Sequence, residues 1–316
     1  MPAVSAPAAP PKLYRAEPVT EVIATLAETV RWDCEQQHVT WVDILAGRLF
    51  EGEYSQGSGV RLVQVTDIGR RLGAYAPHRD GGWLLAADQE FAHLTPDGQV
   101  HELARPSRVP SGEAPDAPAD WRLNDCICDP AGRVFTSAIS QPPTPGTSLV
   151  YRYVEGGSVE VVVDGLTIGN GLGFSPDART FYLNDSGQSM TWAFDYDLDS
   201  GGLSNQRVIF TGNDELGHPD GLCVDDEGMV WVGCYGAGTV RRLTPEGREI
   251  ARVEVPAQQT TSCWLGGPQR RTLFVTAARE KFTAADSLRD PLAGRLFATE
   301  VDAPGSGVPA FGGPRG

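Results

Sequence analysis

Residues 218–233 read HPDGLCVDDEGMVWVG and contain one repeat of the pattern from which the fold can be predicted. A short apolar strand leads into the acidic turn at 225–228, and a second apolar strand follows that turn. Pro219 fixes the backbone at the start of the stretch and Gly221 permits a sharp turn, so the carboxylate of Asp220 is held at a strand entrance. Taken alone, a Pro-Asp-Gly sequence is typical of an ordinary turn.

An apolar anchor strand recurs six times along the chain, and several of these strands follow a turn that contains aspartate, proline or glycine. These anchor strands are residues 38–44, 82–87, 132–137, 179–185, 228–233 and 271–276. Their spacing of roughly 42 to 52 residues matches one four-stranded blade of a β-propeller. Helical periodicity is nearly absent, and runs such as 148–154 and 238–243 alternate with the period of a strand. The sequence therefore predicts an all-β, six-bladed β-propeller with four-stranded blades; two β-sandwiches are the alternative, which the single repeated theme disfavours.

Three segments are predicted along the chain. Residues 1–12 are small and proline-rich, which is typical of a disordered N-terminal tail. Residues 13–302 form one propeller domain, and residues 303–316 form a C-terminal tail.

A ring of blades has to close, and the N-terminal part of the chain supplies a strand for this. Residues 18–25 alternate in polarity and predict a β-strand. We expect residues 19–24 to join the last blade, whose other strands come from 273–277 and 294–301, because this pairing removes an exposed sheet edge. The proline-rich stretch 107–120 predicts either a long surface loop or a lid over one mouth of the channel.

Composition restricts the partners and the compartment. The net charge of −15 and the pI of about 4.7 argue against binding to nucleic acid or to an anionic membrane. No segment reaches the ~18 apolar residues needed to span a bilayer, and residues 1–11 do not resemble a signal peptide. The six cysteines are scattered without a Cys-x-x-Cys pair, which predicts reduced thiols in a cytoplasmic protein.

Four oxygen-bearing side chains lie in turns that lead into core strands of different blades: Glu28, Asn124, Asn170 and Asp220. In a propeller, the entrances of the inner strands converge on the central channel. Carboxylate and amide oxygens without histidine or cysteine make a hard site that suits Ca²⁺ and tolerates Mg²⁺ or Mn²⁺. The pattern therefore indicates a cation site in the channel, although oxygen-rich turns are also common without one.

Several motifs together resemble one known family. They are RLND at 122–125, DPAGR at 129–133, GNGLGFSPD at 169–177, FDYD at 194–197, PDG at 219–221 and TSC at 261–263. From about residue 19 to residue 301, the sequence resembles the gluconolactonase, regucalcin (senescence marker protein) and luciferin-regenerating-enzyme family of six-bladed propellers.

The resemblance implies a role for each matching residue. Glu28, Asn170 and Asp220 match the metal ligands of the family, and Asp220 also matches its general base. Arg122 and Asn124 match the residues that hold the substrate. The implied cofactor is one divalent ion, with Ca²⁺ first and Mn²⁺, Mg²⁺, Zn²⁺ or Fe²⁺ as alternatives. Such an ion polarises a lactone carbonyl, and a neighbouring carboxylate takes a proton from the attacking water.

Three departures from the family pattern affect the predicted substrate. Residues 27–30 lack the glycine and proline that usually surround the residue at the position of Glu28. Cys126 and Ile127 stand where the family has glycine and lysine. Residues 136–145 lack a carboxylate that some sugar lactonases present to the substrate, so an unusual cyclic ester remains a candidate substrate.

The sequence thus predicts a metal-dependent lactonase that opens a small sugar-type lactone by water attack. One alternative is a hydrolase of a non-sugar lactone, an aryl ester or an organophosphate at the same site. Another is a calcium-binding protein without catalysis, which the presence of Arg122 and Asn124 disfavours. His218 fits either a donor to Asp220 or a structural residue, and Cys126 with Cys128 fits a buried core rather than a soft-metal site.

Overall fold

The computed structural model describes residues 9–110 and 120–313, and its regular structure is almost entirely β-strand. Six antiparallel sheets follow one another along the chain, which confirms the six-bladed β-propeller. Two short strands come first, β1 (Lys12–Arg15) and β2 (Glu17–Pro18). Of the described residues, no helix is long and apolar enough to cross a membrane.

The strands of the first three blades are consecutive in sequence. Blade 1 contains β3 (Ala27–Asp33), β4 (His38–Asp43), β5 (Arg48–Ser55) and β6 (Gly59–Asp67). Blade 2 contains β7 (Leu72–Pro77), β8 (Trp83–Ala87), β9 (Glu90–Leu94) and β10 (Val100–Ala104). Blade 3 contains β11 (Trp121–Cys128), β12 (Val134–Ser140), β13 (Ser148–Tyr153) and β14 (Val159–Leu166).

The remaining blades continue the same order. Blade 4 contains β15 (Gly169–Phe174), β16 (Thr180–Asp185), β17 (Met190–Asp197) and β18 (Gly202–Thr211). Blade 5 contains β19 (His218–Val224), β20 (Val230–Tyr235), β21 (Thr239–Leu243) and β22 (Glu249–Glu254). Blade 6 contains β23 (Thr260–Gly266), β24 (Thr272–Ala277) and β25 (Leu296–Glu300), with the helix α1 (Ala284–Arg289) between its last two strands.

The six anchor strands predicted from sequence are the second strands of the blades, namely β4, β8, β12, β16, β20 and β24. Their side chains are buried almost throughout because each of these strands packs between two neighbouring blades. The contact between blades 3 and 4 is aromatic, with the ring centroid of Phe135 5.3 Å from that of Phe174 and 5.4 Å from that of Phe181. Burial of each such side chain stabilises the folded state by about 1.5–3 kcal/mol.

The first strand of each blade is the innermost, and the six innermost strands contact their neighbours around a central channel. All six run in the same direction. We call the end where they begin the upper mouth and the end where they finish the lower mouth. Residue positions early in β3, β11, β15 and β19 therefore lie near the upper mouth together.

The N-terminal segment closes the ring, as predicted, although the strand lies earlier than expected. β2 pairs with β25 as the fourth strand of blade 6, at Glu17 and Pro18, whereas the prediction placed the strand at 18–25. Beyond Pro18, pairing with this blade is reduced to isolated hydrogen bonds, such as Val19 N–H to Leu296 O at 2.9 Å. Proline lacks the N–H group of a central strand, and β2 is accordingly an edge strand.

Residues 12–15 were not expected to form a strand. β1 runs parallel to β22 and adds a fifth strand to blade 5, so the N-terminal segment covers the edges of two blades. The first eight residues of the predicted disordered tail lie outside the described residues.

Residues 303–313, predicted as a tail, pack across the lower mouth, and we call them the C-terminal strap. Gly305 pairs with Asp225 of blade 5, and Phe311 pairs with His78 of blade 2. Phe311 is fully buried and its ring stacks on Tyr153 at 5.4 Å. The strap therefore joins blades on opposite sides of the ring.

Candidate metal and substrate site

Every innermost strand has an irregularity near its start. The pairing register with the second strand shifts between Glu28 and Arg31, Leu72 and Ala74, Leu123 and Cys126, Asn170 and Leu172, Pro219 and Leu222, and Thr260 and Cys263. A β-bulge re-aims side chains and is common next to active sites. The four predicted oxygen donors lie at or within four of these bulges, so the structure places all of them around the channel near its upper mouth.

The bulges bring neighbouring inner strands very close together. A Cβ atom added to Gly221 would lie 2.7 Å from the Cα atom of Ser262, so only glycine fits there. Thr29 adopts a left-handed backbone with φ of 47°, which is unusual for a β-branched residue. Its N–H donates to Glu28 Oε2 at 2.8 Å, so the bulge itself orients the Glu28 carboxylate without the expected glycine and proline.

Hydrogen bonds link the predicted substrate residues to a predicted metal ligand. Arg122 Nη1 donates to Asn124 Oδ1, and Asn124 Nδ2 donates to Asn170 Oδ1 at 2.6 Å. Asn170 Nδ2 in turn donates to Ser186 Oγ at 2.9 Å, and that hydroxyl donates to the Pro219 carbonyl at 2.6 Å. This chain extends over blades 3, 4 and 5 and ends beside Asp220.

The two predicted carboxylate ligands are buried, with 6% of each residue exposed. Burial is the largest cause, and repulsion from Asp125 the next, of a rise in the pKa of Glu28 to about 8. Burial is again the largest cause, and repulsion from Glu28 the next, of a pKa of Asp220 that lies well above its ordinary value. Asp220 Oδ1 accepts no hydrogen bond from any described residue. Two buried carboxylates, one of which has an oxygen without a hydrogen bond from the described residues, are suited to bind a divalent cation.

Arg122 is a buried cation that faces these carboxylates. Burial lowers its pKa to about 10, and the nearby charge of Glu28 opposes that shift. Among the described residues, its guanidinium donates only to Leu123 O and to Asn124 Oδ1 and forms no ion pair. Its remaining N–H groups are therefore available to a ligand in the channel.

This geometry can be compared with known proteins. The family described as SMP-30/Gluconolactonase/LRE-like region matches residues 26–279. The chain belongs to this family. Regucalcin from Danio rerio is 31% identical over 86% of this chain and 89% of its own. A 6-deoxy-6-sulfogluconolactonase from Pseudomonas putida is 29% identical over 92% of this chain and 96% of its own.

Two solved structures have the same architecture. The structure of a calcium-binding protein, regucalcin, from Agrobacterium tumefaciens has a TM-score of 0.86 and 25% identity, and covers 96% of this chain and 99% of that one. A luciferin-regenerating enzyme has a TM-score of 0.80 at 24% identity and covers 93% of this chain and 97% of that one, which shows the fold alone.

Two residues whose roles the sequence left open have clear surroundings. His218 Nδ1 lies 2.6 Å from Ser189 Oγ, and its Nε2 lies 3.6 Å from Asp214 Oδ1, so both ring nitrogens face residues other than Asp220. Cys126 is fully buried in an apolar cluster that also contains Cys128, and burial raises its pKa to about 12. The interpretation of these cysteines as core residues agrees with the structure.

The stretch 107–120, predicted as either a long surface loop or a lid, belongs to the connection between β10 and β11. Tyr151 donates to the Arg108 carbonyl at 2.6 Å, and Arg108 Nη2 lies 2.9 Å from Asp164 Oδ2, so the described part of this connection is attached to blade 3. Residues 111–119 lie outside the described residues, so the choice between a surface loop and a lid stays open.

A second group of side chains that could hold a metal ion, which the sequence did not predict, is formed by His78, Asp80 and Glu155. It lies at the lower mouth, in loops of blades 2 and 3. Arg79 Nη2 lies 2.9 Å from Glu155 Oε2 and Arg79 Nε lies 3.7 Å from Asp80 Oδ1, so a positive charge already neutralises part of this cluster. No local signal predicts the cluster, because two separate loops supply it.

Proposed function

We propose that this chain is a metal-dependent lactonase that opens a small cyclic ester by water attack, with Asp220 as the general base. The observation that carries the proposal is the arrangement of two buried carboxylates, Glu28 and Asp220, opposite a buried Arg122 that forms no ion pair among the described residues. A buried charge without a partner is costly, so such an arrangement indicates a site that binds charged or strongly polar groups.

Glu28, Asn170 and Asp220 would hold the cation. Their oxygens fit a hard ion, and Ca²⁺ suits them best because it accepts carboxylate and amide oxygens in flexible geometry. The regucalcin from Agrobacterium tumefaciens is described as a calcium-binding protein, which supports this choice. When bound, the ion would polarise the carbonyl of the lactone and stabilise the negative charge that develops on it.

The remaining chemistry belongs to side chains of this protein. Asp220 Oδ1, which accepts no hydrogen bond from the described residues, can accept a proton from the attacking water. The Pro219 and Asp220 carbonyls are held by Ser186 Oγ at 2.6 Å and by Asn184 Nδ2 at 2.5 Å, which fixes the backbone that carries this base. Arg122 and Asn124 would hold the hydroxyl or carbonyl oxygens of the substrate.

The proposed substrate is a lactone of the sugar type. The Pseudomonas putida relative is named for a lactone of a modified gluconic acid, which supports this class. The second candidate is a hydrolase of a non-sugar lactone, an aryl ester or an organophosphate. It is favoured by residues 136–145, in β12 and the loop after it, because they contain no carboxylate.

We propose a cytoplasmic location for the protein. All six cysteines are free, which supports a reducing compartment.

The test is hydrolysis of a panel of sugar lactones, non-sugar lactones, aryl esters and organophosphates by pH-stat. The protein is stripped of metal and then given Ca²⁺, Mn²⁺, Mg²⁺, Zn²⁺ or Fe²⁺. We expect lactone turnover that requires a divalent ion and falls at least about a hundredfold in Asp220→Asn. Asp199→Asn, which makes the same change at an exposed position, serves as the matched control. Tight Ca²⁺ binding with no turnover of any substrate would instead support a calcium-binding protein without catalysis.

A further inference from the structure

A second buried arginine lies just below the candidate site. Arg31 follows Glu28 by three residues on β3, at the other side of the same bulge, and is only 3% exposed. Its Nη1 donates to the Val30 carbonyl at 3.0 Å, and its Nη2 donates to the Cys126 carbonyl at 2.9 Å. Its guanidinium carbon lies 4.3 Å from the ring centroid of Trp264. Arg31 is thus fixed by contacts to blades 1, 3 and 6.

The partner of Arg31 is a carboxylate in the bulge of β11. Arg31 Nη2 lies 3.7 Å from Asp125 Oδ1, and both side chains are buried. The same carboxylate oxygen accepts the Cys126 N–H at 2.7 Å, so Asp125 is also held by backbone. An ion pair at this depth interacts strongly, because little water screens it.

The pair is close enough to affect the candidate cation site. Asp125 follows Asn124 directly, and Asn124 bonds to the predicted ligand Asn170. The charge of Asp125 raises the pKa of both Glu28 and Asp220, while that of Arg31 lowers the pKa of Glu28. Because the two opposite charges lie 3.7 Å apart, their effects on a nearby ion partly cancel, whereas the effect of either charge alone does not.

We propose that Arg31 and Asp125 form a charge-balanced positioning pair beneath the candidate site, and that their mutual neutralisation sets the affinity of the site for a divalent cation. This inference rests on the cation site of the proposed function. It assigns no contact with substrate to either residue. A merely structural pair would affect folding stability and leave cation affinity unchanged.

The charge balance between Arg31 and Asp125 predicts different effects for the two single substitutions. Asp125→Asn leaves the positive charge of Arg31 uncompensated beneath the cation, so we expect Ca²⁺ affinity to fall by about tenfold or more. Arg31→Met removes a positive charge and is expected not to weaken Ca²⁺ binding. The double variant Arg31→Met/Asp125→Asn removes both charges, and its affinity should return to within about threefold of that of the unmodified protein.

The experiment is calorimetric titration of the full-length, metal-stripped protein with Ca²⁺ at pH 8, with thermal unfolding of every variant measured in parallel. Asp129→Asn is the matched control, because Asp129 forms a buried ion pair with Arg133 at 2.6 Å at the far end of blade 3. We expect this control to lower the unfolding temperature and to leave Ca²⁺ affinity unchanged.

Three outcomes would overturn the inference. If folded Asp125→Asn binds Ca²⁺ as tightly as the unmodified protein, the pair is only structural and the proposed lactonase function still stands. The same holds if the folded double variant remains as weak as Asp125→Asn. If the unmodified protein itself binds no divalent ion, the proposed function fails and this inference fails with it.

Discussion

Asn124 Nδ2 lies 2.6 Å from Asn170 Oδ1, so a predicted substrate residue of blade 3 directly orients a predicted metal ligand of blade 4. Asn124→Ala removes one of the two side-chain hydrogen bonds that orient the Asn170 amide, the other being to Ser186 Oγ. We therefore expect two effects at once, a rise in the KM for the lactone and a loss of Ca²⁺ affinity of about tenfold, the equivalent of one hydrogen bond to a charged or polar group. Steady-state kinetics and calorimetric titration measure the two effects separately.

Asn205→Ala is the control for this prediction. Asn205 donates to an exposed carboxylate of Asp195 on the outside of blade 4, so its loss should change neither quantity. A rise in KM with unchanged Ca²⁺ affinity would show that the Asn124–Asn170 bond does not orient a metal ligand.

The pH dependence of the metal-free protein follows from the raised pKa of Glu28. The folded protein keeps a proton on this carboxylate up to about pH 8, whereas the unfolded chain loses it near its ordinary value of 4.5. Stability of the metal-free protein should therefore fall between these pH values, by at most about 1.4 kcal/mol per pH unit for this group. Protons and Ca²⁺ compete for the carboxylate, so Ca²⁺ affinity should rise over the same range.

Chemical unfolding at pH 5, 6.5 and 8, with and without Ca²⁺, tests this prediction. Glu28→Gln cannot ionise and should give a flatter dependence than the unmodified protein. If the unmodified protein and Glu28→Gln have the same pH dependence in the metal-free form, the raised pKa of Glu28 is contradicted.

The sequence predicts the second strands well, because they are largely apolar on both faces and several of them follow a turn that contains aspartate, proline or glycine. It does not predict the parallel pairing of β1 with blade 5 or the C-terminal strap, because both depend on distant surfaces of the ring. The bulge at Thr29 has no local signal either, since a threonine rarely adopts a left-handed backbone.

The candidate site, like the fold, could be predicted only in part from the sequence. Residue type and family resemblance indicated Glu28, Asn124, Asn170 and Asp220, and Arg122 came from the resemblance alone. Their arrangement around the channel depends on the bulges, which set the direction of each side chain. Arg31 and Asp125 were not predicted as a pair, because their pairing depends on how β3 and β11 approach across the channel.

Gly221 is expected to be indispensable for the shape of the site. An added methyl group would lie 2.7 Å from Ser262 Cα, and backbone cannot move aside as a flexible side chain would. Gly221→Ala should therefore destabilise the fold by about 1–3 kcal/mol and weaken Ca²⁺ binding by separating β19 from β23. Gly307→Ala, where the new methyl group meets nothing within 4 Å, should be close to neutral in urea unfolding and in titration. Equal stability of the two variants would refute the close approach of these inner strands.

The C-terminal strap is expected to stabilise the ring without taking part in chemistry. Phe311 is fully buried and contacts Tyr153, so Phe311→Ala should lower the free energy of unfolding by about 3–5 kcal/mol. Because the strap crosses the lower mouth, the KM for lactone and the Ca²⁺ affinity of the folded variant should stay unchanged. Leu288→Ala, at a side chain of α1 that is 84% exposed, is the control and should change stability by less than about 0.5 kcal/mol. A Phe311→Ala variant that unfolds like the unmodified protein would show that the strap does not hold the blades together in solution.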